Sequence, residues 1–213
     1  MHNARMRIGF LASHNGSSLR AIVAALRSGV LKGTAQVVIS NNRESPALDF
    51  ARRETIAAHY INEANCAPSE NADQAIARAL DTHGVDLVVL SGYMRKIGPL
   101  TLQRYPARIL NIHPGPLPKF GGRGMYGMNV HKAVLAAGEA ITGVAIHVVD
   151  GEYDQGPVVA ETAIPVLPED APEDLAQRVS QAEPDFFVSV LRRIQAGEIR
   201  LPEGLGARHR PPP

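Results

Sequence analysis

The stretch Arg108-Ile-Leu-Asn-Ile-His-Pro-Gly-Pro-Leu-Pro-Lys119 has the composition of a short buried strand that ends abruptly. Its apolar residues form strands readily, whereas the three prolines that follow cannot donate ladder hydrogen bonds. Side chains two residues apart on a strand share one face, so Asn111 and His113 are expected to point the same way. In an open α/β sheet, ligands bind at the carboxyl ends of the strands, and both side chains are predicted there.

An amide beside an imidazole can donate hydrogen bonds to a developing oxyanion, and the imidazole can also move a proton near neutral pH. Alternatively, Asn111 and His113 only satisfy backbone groups at a strand end. Asp154, in the acidic turn at 150–157, could orient His113 and keep it charged, or it could simply stabilise its own turn. A carboxylate close to His113 predicts a raised pKa for that imidazole.

Outward from this strand, short apolar runs alternate with helical patterns along the chain. Seven strands are predicted near residues 7–12, 35–40, 58–61, 86–91, 108–113, 141–149 and 158–165. This alternation predicts an α/β fold with a Rossmann-like, doubly wound, mostly parallel sheet of about seven strands. The short turn between the last two strands requires an antiparallel C-terminal portion. Residues 1–200 are expected to form a single domain, and residues 201–213 a flexible tail.

The first strand breaks at Ser13-His-Asn-Gly-Ser-Ser18, and a helical pattern follows. Backbone N–H groups at a helix start are unpaired and carry partial positive charge, so this turn suits a phosphate. It matches neither a Walker loop nor the Gly-x-Gly-x-x-Gly dinucleotide fingerprint, which favours a monophosphate. A plain serine N-cap is the alternative interpretation.

A long segment rich in Gly and Pro, residues 114–127, directly follows the candidate site. Irregular loops of this length are often lids or binding loops, and the position favours a lid over an ordinary disordered loop. Two further histidines are not expected to react. His131 is predicted on a helix surface, and His147 is predicted to support the site or to pack in the core.

Composition excludes several classes of function. With 45% hydrophobic and 20% charged residues the 213-residue chain is globular, and its net charge of +1 gives no electrostatic case for nucleic acid or an anionic membrane. Cys66 is the only cysteine, and Met1–Arg5 has no apolar core of signal-peptide length, so a cytoplasmic location is expected. No metal is expected, because metal-binding spacings of His, Glu and Cys are absent from the sequence.

Three motifs carry a resemblance to a known family: Asn111-x-His113-Pro114, Leu117-Pro118-Lys119 and Asp154-x-Gly156-Pro157. In this order and spacing they resemble the formyltransferase superfamily that uses 10-formyltetrahydrofolate as co-substrate. Residues 15–19, residues 92–95 and Glu183 narrow the resemblance to members that act on glycinamide ribonucleotide. The resemblance implies formyl transfer to the amine of 5′-phosphoribosylglycinamide in purine biosynthesis. It further implies small-molecule partners only and a monomer or homodimer.

The resemblance also implies roles for individual residues. The catalytic trio would be Asn111, His113 and Asp154. The 5′-phosphate would be held by Asn15, Gly16, Ser17 and Ser18, and the ribose or glycinamide part by Glu183. The folate pocket would be lined by Met94, Arg95, Ile97, Val149, Asp150 and Asp154. The lid would include Lys119, Gly121, Gly122 and Gly124. This chain departs from the family at Ser18, which replaces the usual Asn, and at Pro184, which predicts a kinked or restarted helix after Glu183.

In the implied mechanism the amine attacks the formyl carbon, and Asn111 and a cationic His113 donate to the resulting oxyanion. Asp154 keeps His113 charged and relays a proton, directly or through a water. A 10-formyltetrahydrofolate hydrolase and a non-catalytic folate- or nucleotide-binding module are the alternatives. The phosphate turn argues against the hydrolase, since a hydrolase has no phosphorylated acceptor, and the intact trio argues against the binding module.

Overall fold

A computed structural model describes residues 5–66 and 70–202 of the chain. Its strands are β1 (Met6–Leu11), β2 (Gly33–Ser40), β3 (Ala57–Tyr60), β4 (Leu87–Leu90), β5 (Ile109–His113), β6 (Ile141–Val148) and β7 (Val158–Pro165). Its α-helices are α1 (Ser17–Arg27), α2 (Pro46–Arg53), α3 (Ala72–Thr82), α4 (Pro99–Arg104), α5 (Met128–Ala136) and α6 (Pro172–Ala196). The predicted tail from residue 203 onward lies outside the described residues.

The seven strands form one sheet in the order β3-β2-β1-β4-β5-β6-β7. The pairs from β3 to β5 are parallel, and β6 is antiparallel to both β5 and β7. The predicted fold class, mostly parallel with an antiparallel C-terminal portion, is therefore confirmed. The chain winds outward from β1 to β3 and then returns to place β4 on the other side of β1. Ligand sites of such sheets lie at this switch point and at the neighbouring carboxyl ends.

Both faces of the sheet are covered, because successive side chains of a strand point to opposite faces. Phe10 of β1 is fully buried in the cluster beneath α1, α2 and the C-terminal half of α6. The next residue, Leu11, is fully buried on the other face, against α3 and α4. A third cluster under α5 and the start of α6 contains Leu175 and Val179. These three clusters fix the strand ends that carry the site.

Helix α6 runs without interruption from Pro172 to Ala196, although Pro184 lies inside it. The predicted restart at Pro184 is therefore wrong. Proline removes one intrahelical hydrogen bond. Buried residues on both sides of it, Val179 before and Phe187 after, hold the helix against two different clusters and keep it continuous.

The loops that follow β1 and β4 are hydrogen-bonded to each other at the switch point. The Ser13 N–H donates to Gly92 O at 3.1 Å, and the Met94 N–H donates to Ser13 Oγ at 2.7 Å. At the start of α1, the Leu19 N–H donates to Ser91 Oγ at 3.1 Å. These bonds place the predicted phosphate turn beside the loop that enters the candidate site. No helix among the described residues has both the length and the apolar character to span a membrane.

Candidate active site

A cavity of about 570 Å³ opens at the carboxyl ends of β4 and β5. Asn111 and His113 of β5 both line it, as their shared strand face predicts. Its walls are the loop after β4, the glycine-rich part of the 114–127 segment and the turn between β6 and β7. Helix α6 contributes Glu183. The cavity therefore brings together side chains that are up to 93 residues apart in sequence, from Leu90 to Glu183.

Asn111 is held by a histidine on the neighbouring strand. His147 of β6 is its direct cross-strand partner, and the Asn111 amide nitrogen lies 3.1 Å from His147 Nε2. The other ring nitrogen, Nδ1, donates to the backbone carbonyl of Val148 at 3.0 Å. Nδ1 must carry a proton, because a carbonyl only accepts, and Nε2 can therefore accept the Asn111 N–H. This contact directs the amide nitrogen of Asn111 and leaves its second N–H available to a ligand.

His113 is buried and is oriented by the loop that follows it. Its Nε2 lies 2.7 Å from the carbonyl oxygen of Phe120, so Nε2 must carry a proton, because a carbonyl only accepts. The other nitrogen, Nδ1, faces the Asp154 carboxylate at 3.6 Å. Burial lowers the pKa of His113 below its usual value, although Asp154 and the Phe120 carbonyl both act to raise it.

The prediction that the pKa of His113 is raised is therefore wrong. The sequence argument included the nearby carboxylate but not the loss of solvent. With its side chain only 4% exposed, the cationic ring loses more hydration than a carboxylate at 3.6 Å restores. Because Nε2 donates to Phe120, Nδ1 is the nitrogen of His113 that can take up a further proton.

Asp154 adopts a left-handed backbone conformation, with φ of 55°, at the tip of the β6–β7 turn. Its Oδ2 accepts the Gly122 N–H at 3.0 Å, and its Oδ1 lies 3.4 Å from His147 Nε2. Burial acts to raise the pKa of Asp154, but contacts with His147 and the Gly122 N–H and the charge of His113 hold it below its usual value. The carboxylate is thus kept ionised between two histidines.

Two glycines allow the turn to approach the rest of the site. A Cβ at Gly156 would lie 1.8 Å from the backbone oxygen of Val148, so only glycine lets the turn pack on β6. A Cβ at Gly121 would lie 2.4 Å from Leu117 Cδ2 and 3.0 Å from Asp154 Cβ. Close packing therefore requires glycine at Gly156, in the Asp-x-Gly-Pro motif, and at Gly121 of the 114–127 loop.

The structure brings together most of the predicted site residues. The catalytic trio and Glu183 line the cavity, as do all the predicted folate-pocket residues: Met94, Arg95, Ile97, Val149 and Asp150. Of the predicted lid, Gly122 and Gly124 line it and Gly121 packs behind it. Lys119 instead forms an ion pair with Glu139. The roles of all these predicted site residues toward substrates stay predictions.

The predicted phosphate turn lies next to the cavity rather than in its wall. Gly16 caps α1 with φ of 66°, a left-handed conformation that glycine adopts without cost. Ser17 is exposed, whereas Ser18 is buried, with 1% of its surface exposed. Within the described residues, the backbone N–H groups of Ser17 and Ser18 have no hydrogen-bond partner. The backbone of the turn, more than the Ser18 side chain, is available to an anion.

Sequence reasoning missed some contributors and misplaced one. The Phe120 carbonyl, which orients His113, carries no sequence signal. His147 was expected to support the site or to pack in the core, and it does both; its specific partner, Asn111, follows only from the pairing of β6 with β5. His131 was predicted on a helix surface, which is wrong: it is only 4% exposed, and burial lowers its pKa.

Comparison with known proteins places the chain in a family. The sequence profile of the formyl transferases matches residues 6–191. The chain belongs to the formyl transferase family.

Within the residues described, no group of three or more His, Cys, Asp or Glu side chains is arranged to hold a metal ion.

Relatives resemble the chain over most of its length. It is 33% identical over 198 residues to phosphoribosylglycinamide formyltransferase of Escherichia coli, covering 93% of this chain and 91% of the relative. It is 36% identical to the chloroplastic enzyme of that name from Arabidopsis thaliana, of which it covers 68%. The crystal structure of glycinamide ribonucleotide transformylase 1 from Symbiobacterium toebii superposes with a TM-score of 0.83 at 36% identity, covering 92% of this chain and 94% of that one.

Proposed function

We propose that this family member transfers the formyl group of 10-formyltetrahydrofolate to the amine of glycinamide ribonucleotide, a step of purine biosynthesis. The observation that carries the proposal is the convergence of Asn111, His113 and Asp154 on one cavity, in a chain whose relatives bear that activity in their names. The cavity is large enough for a folate head group, since small-molecule sites range from about 300 to 1,000 Å³.

In the proposed reaction the amine attacks the formyl carbon, and negative charge develops on the formyl oxygen. Asn111 donates its free N–H to that oxygen, since His147 already fixes the orientation of the amide. His113 adds a second donor when its Nδ1 takes up a proton. The charges of Asp154 and of the intermediate both favour that protonation, and the Phe120 carbonyl keeps the ring in place.

The ribonucleotide phosphate would bind at the start of α1. Two unpartnered N–H groups and the partial positive charge of the helix end lie there, beside the loop that forms one cavity wall. Glu183 would contact the glycinamide or ribose part, and the folate would occupy the side lined by Met94, Arg95 and Ile97. The cytoplasmic location, the monomeric or homodimeric state and the absence of nucleic-acid partners stay predictions.

An absorbance assay tests the proposal. Purified protein is mixed with 10-formyl-5,8-dideazafolate, with and without glycinamide ribonucleotide, and release of the deformylated folate is followed. Release only in the presence of the ribonucleotide is the expected result. Release at the same rate without it would identify a hydrolase. Folate binding without any release would indicate a binding module, and either of these two results would overturn the proposal.

A further inference from the structure

We propose that two buried serines, Ser13 and Ser91, are positioning residues whose effects cross: each lies on the side of one substrate and holds the backbone on the side of the other. This inference rests on the proposed function, which assigns the folate to the loop after β4 and the ribonucleotide phosphate to the start of α1. Neither serine is among the site residues that the sequence predicts. The argument depends on which loop carries each hydroxyl and on which backbone N–H that hydroxyl accepts.

Ser13 holds the loop that lines the proposed folate side. It lies in the β1 loop, residues 12–16, which leads into the predicted phosphate turn. Its Oγ accepts the Met94 N–H, from the β4 loop of residues 91–98, at 2.7 Å. The same hydroxyl donates to Asn41 Oδ1 at 2.6 Å, so its proton is engaged there and a lone pair is directed at Met94. Ser13 is only 2% exposed, so bulk water would not replace a missing hydroxyl.

Ser91 holds the start of α1 in the opposite direction. It is the first residue of the β4 loop, and its Oγ accepts the Leu19 N–H, in the first turn of α1, at 3.1 Å. That N–H is one of the groups that a helix start leaves without an intrahelical partner. Leu19 is fully buried and Ser91 is buried as well, so the hydroxyl takes the place that water would have at an exposed helix end. The β4 loop thereby fixes the start of the helix.

Backbone hydrogen bonds keep each serine in place when its hydroxyl is removed. The Ser13 N–H donates to Gly92 O at 3.1 Å, and the Ser91 N–H donates to Leu11 O at 2.9 Å. Asn41, the second partner of the Ser13 hydroxyl, is half-buried and can bond to water instead. Replacing either serine by alanine therefore affects mainly the partner loop, whose N–H loses its acceptor.

The two accepted N–H groups lie within two residues of different substrate sites. Met94 and its neighbour Arg95 line the cavity on the proposed folate side, so a shift of the Met94 backbone changes that wall. Leu19 directly follows Ser17 and Ser18, whose unpartnered N–H groups are proposed to hold the phosphate. Loss of the Ser13 hydroxyl should therefore weaken folate binding, and loss of the Ser91 hydroxyl should weaken ribonucleotide binding.

The test measures kcat and both KM values in the formyl transfer assay for wild type, Ser13→Ala and Ser91→Ala. Ser13→Ala should raise the KM for 10-formyl-5,8-dideazafolate by about 2- to 12-fold, the factor that corresponds to one net hydrogen bond, and leave the KM for glycinamide ribonucleotide unchanged. Ser91→Ala should raise the KM for the ribonucleotide by a similar factor and leave the folate KM unchanged. The double variant should show both increases. A general loss of stability would lower the active fraction, and with it kcat, without separating the two KM values.

Ser28→Ala is the matched control, since its hydroxyl donates to Ala25 O at the other end of α1, and both KM values should stay unchanged. Ser13→Cys and Ser91→Cys keep a similar volume and offer only a weak acceptor, so they should give the same crossed pattern where an alanine variant does not fold. Equal increases in both KM values, an increase for the uncrossed substrate, or unchanged KM values would overturn the inference. Wild-type protein that transfers no formyl group would instead overturn the proposed function.

Discussion

Replacing His147 by leucine tests how the site holds Asn111. Leucine fills a similar volume but can neither accept the Asn111 N–H at 3.1 Å nor donate to the Val148 carbonyl. An oxyanion donor is worth about 2.7–4 kcal/mol, or 10²–10³ in kcat, so this range is the upper limit for losing the orientation of Asn111. We expect kcat to fall by 10-fold or more within that limit. Stability should fall by about 1–3 kcal/mol, because a buried carbonyl loses its donor.

A double-mutant cycle in the formyl transfer assay isolates this effect. If His147 acts through Asn111, His147→Leu should change kcat far less when Asn111 is already alanine. Additive losses on a logarithmic scale would refute the reasoning. The control is His59→Leu, which removes a half-buried histidine whose Nε2 lies 2.9 Å from that of His83, away from the cavity. That variant should keep the wild-type kcat, and urea unfolding of each protein ensures that kcat is compared among folded enzymes.

Three further predictions concern the turn, a helix cap and the phosphate site. Gly156→Ala forces a Cβ to within 1.8 Å of Val148 O. Thermal unfolding should therefore show a free energy of unfolding lower by about 1–3 kcal/mol, and kcat should drop. Gly151→Ala, with open space at its Cβ, is the control and should match wild type. Asp73→Ala removes the carboxylate that accepts the N–H groups of Leu100 and Thr101 at 2.8 and 3.0 Å. This substitution should lower the free energy of unfolding, measured with urea, by about 0.5–2 kcal/mol and leave kcat unchanged. A loss of activity would contradict a purely structural role for Asp73. Ser17→Asp adds negative charge at the start of α1 and should raise KM for glycinamide ribonucleotide with kcat retained. An unchanged KM would remove the turn from the binding site, and Ser28→Asp at the other end of the helix is its control.

The fold was predictable because its strands are short apolar runs with clear turn residues between them. The sequence places the last strand at 158–165, as the structure does, and β5 within one residue of its observed start at Ile109. The continuity of α6 through Pro184 was not predictable in the same way. A local rule about proline was overridden by packing on both sides of it, which only the assembled clusters show.

The candidate site was predictable where strand geometry alone positions a residue. Asn111 and His113 share a face because of the two-residue period of a strand, and that needs no tertiary information. The partner of Asn111 could not be named, because it depends on the register in which β6 pairs with β5. The direction of the His113 pKa shift was predicted wrongly for a related reason. Solvent is excluded by a loop whose path the sequence does not specify, so the loss of hydration could not be weighed against the charge of Asp154.

The 114–127 loop is hydrogen-bonded to two side chains of the candidate site. Within three residues its backbone provides the acceptor for His113 Nε2, at Phe120 O, and a donor for Asp154 Oδ2, at the Gly122 N–H. Displacing this segment would release the ring of His113 and remove a hydrogen bond that lowers the pKa of Asp154. Opening and closing of the loop would therefore change the orientation of His113 and the basicity of Asp154 together. Glu183, on α6, would keep its place, because the clusters packed around its helix do not depend on those two contacts.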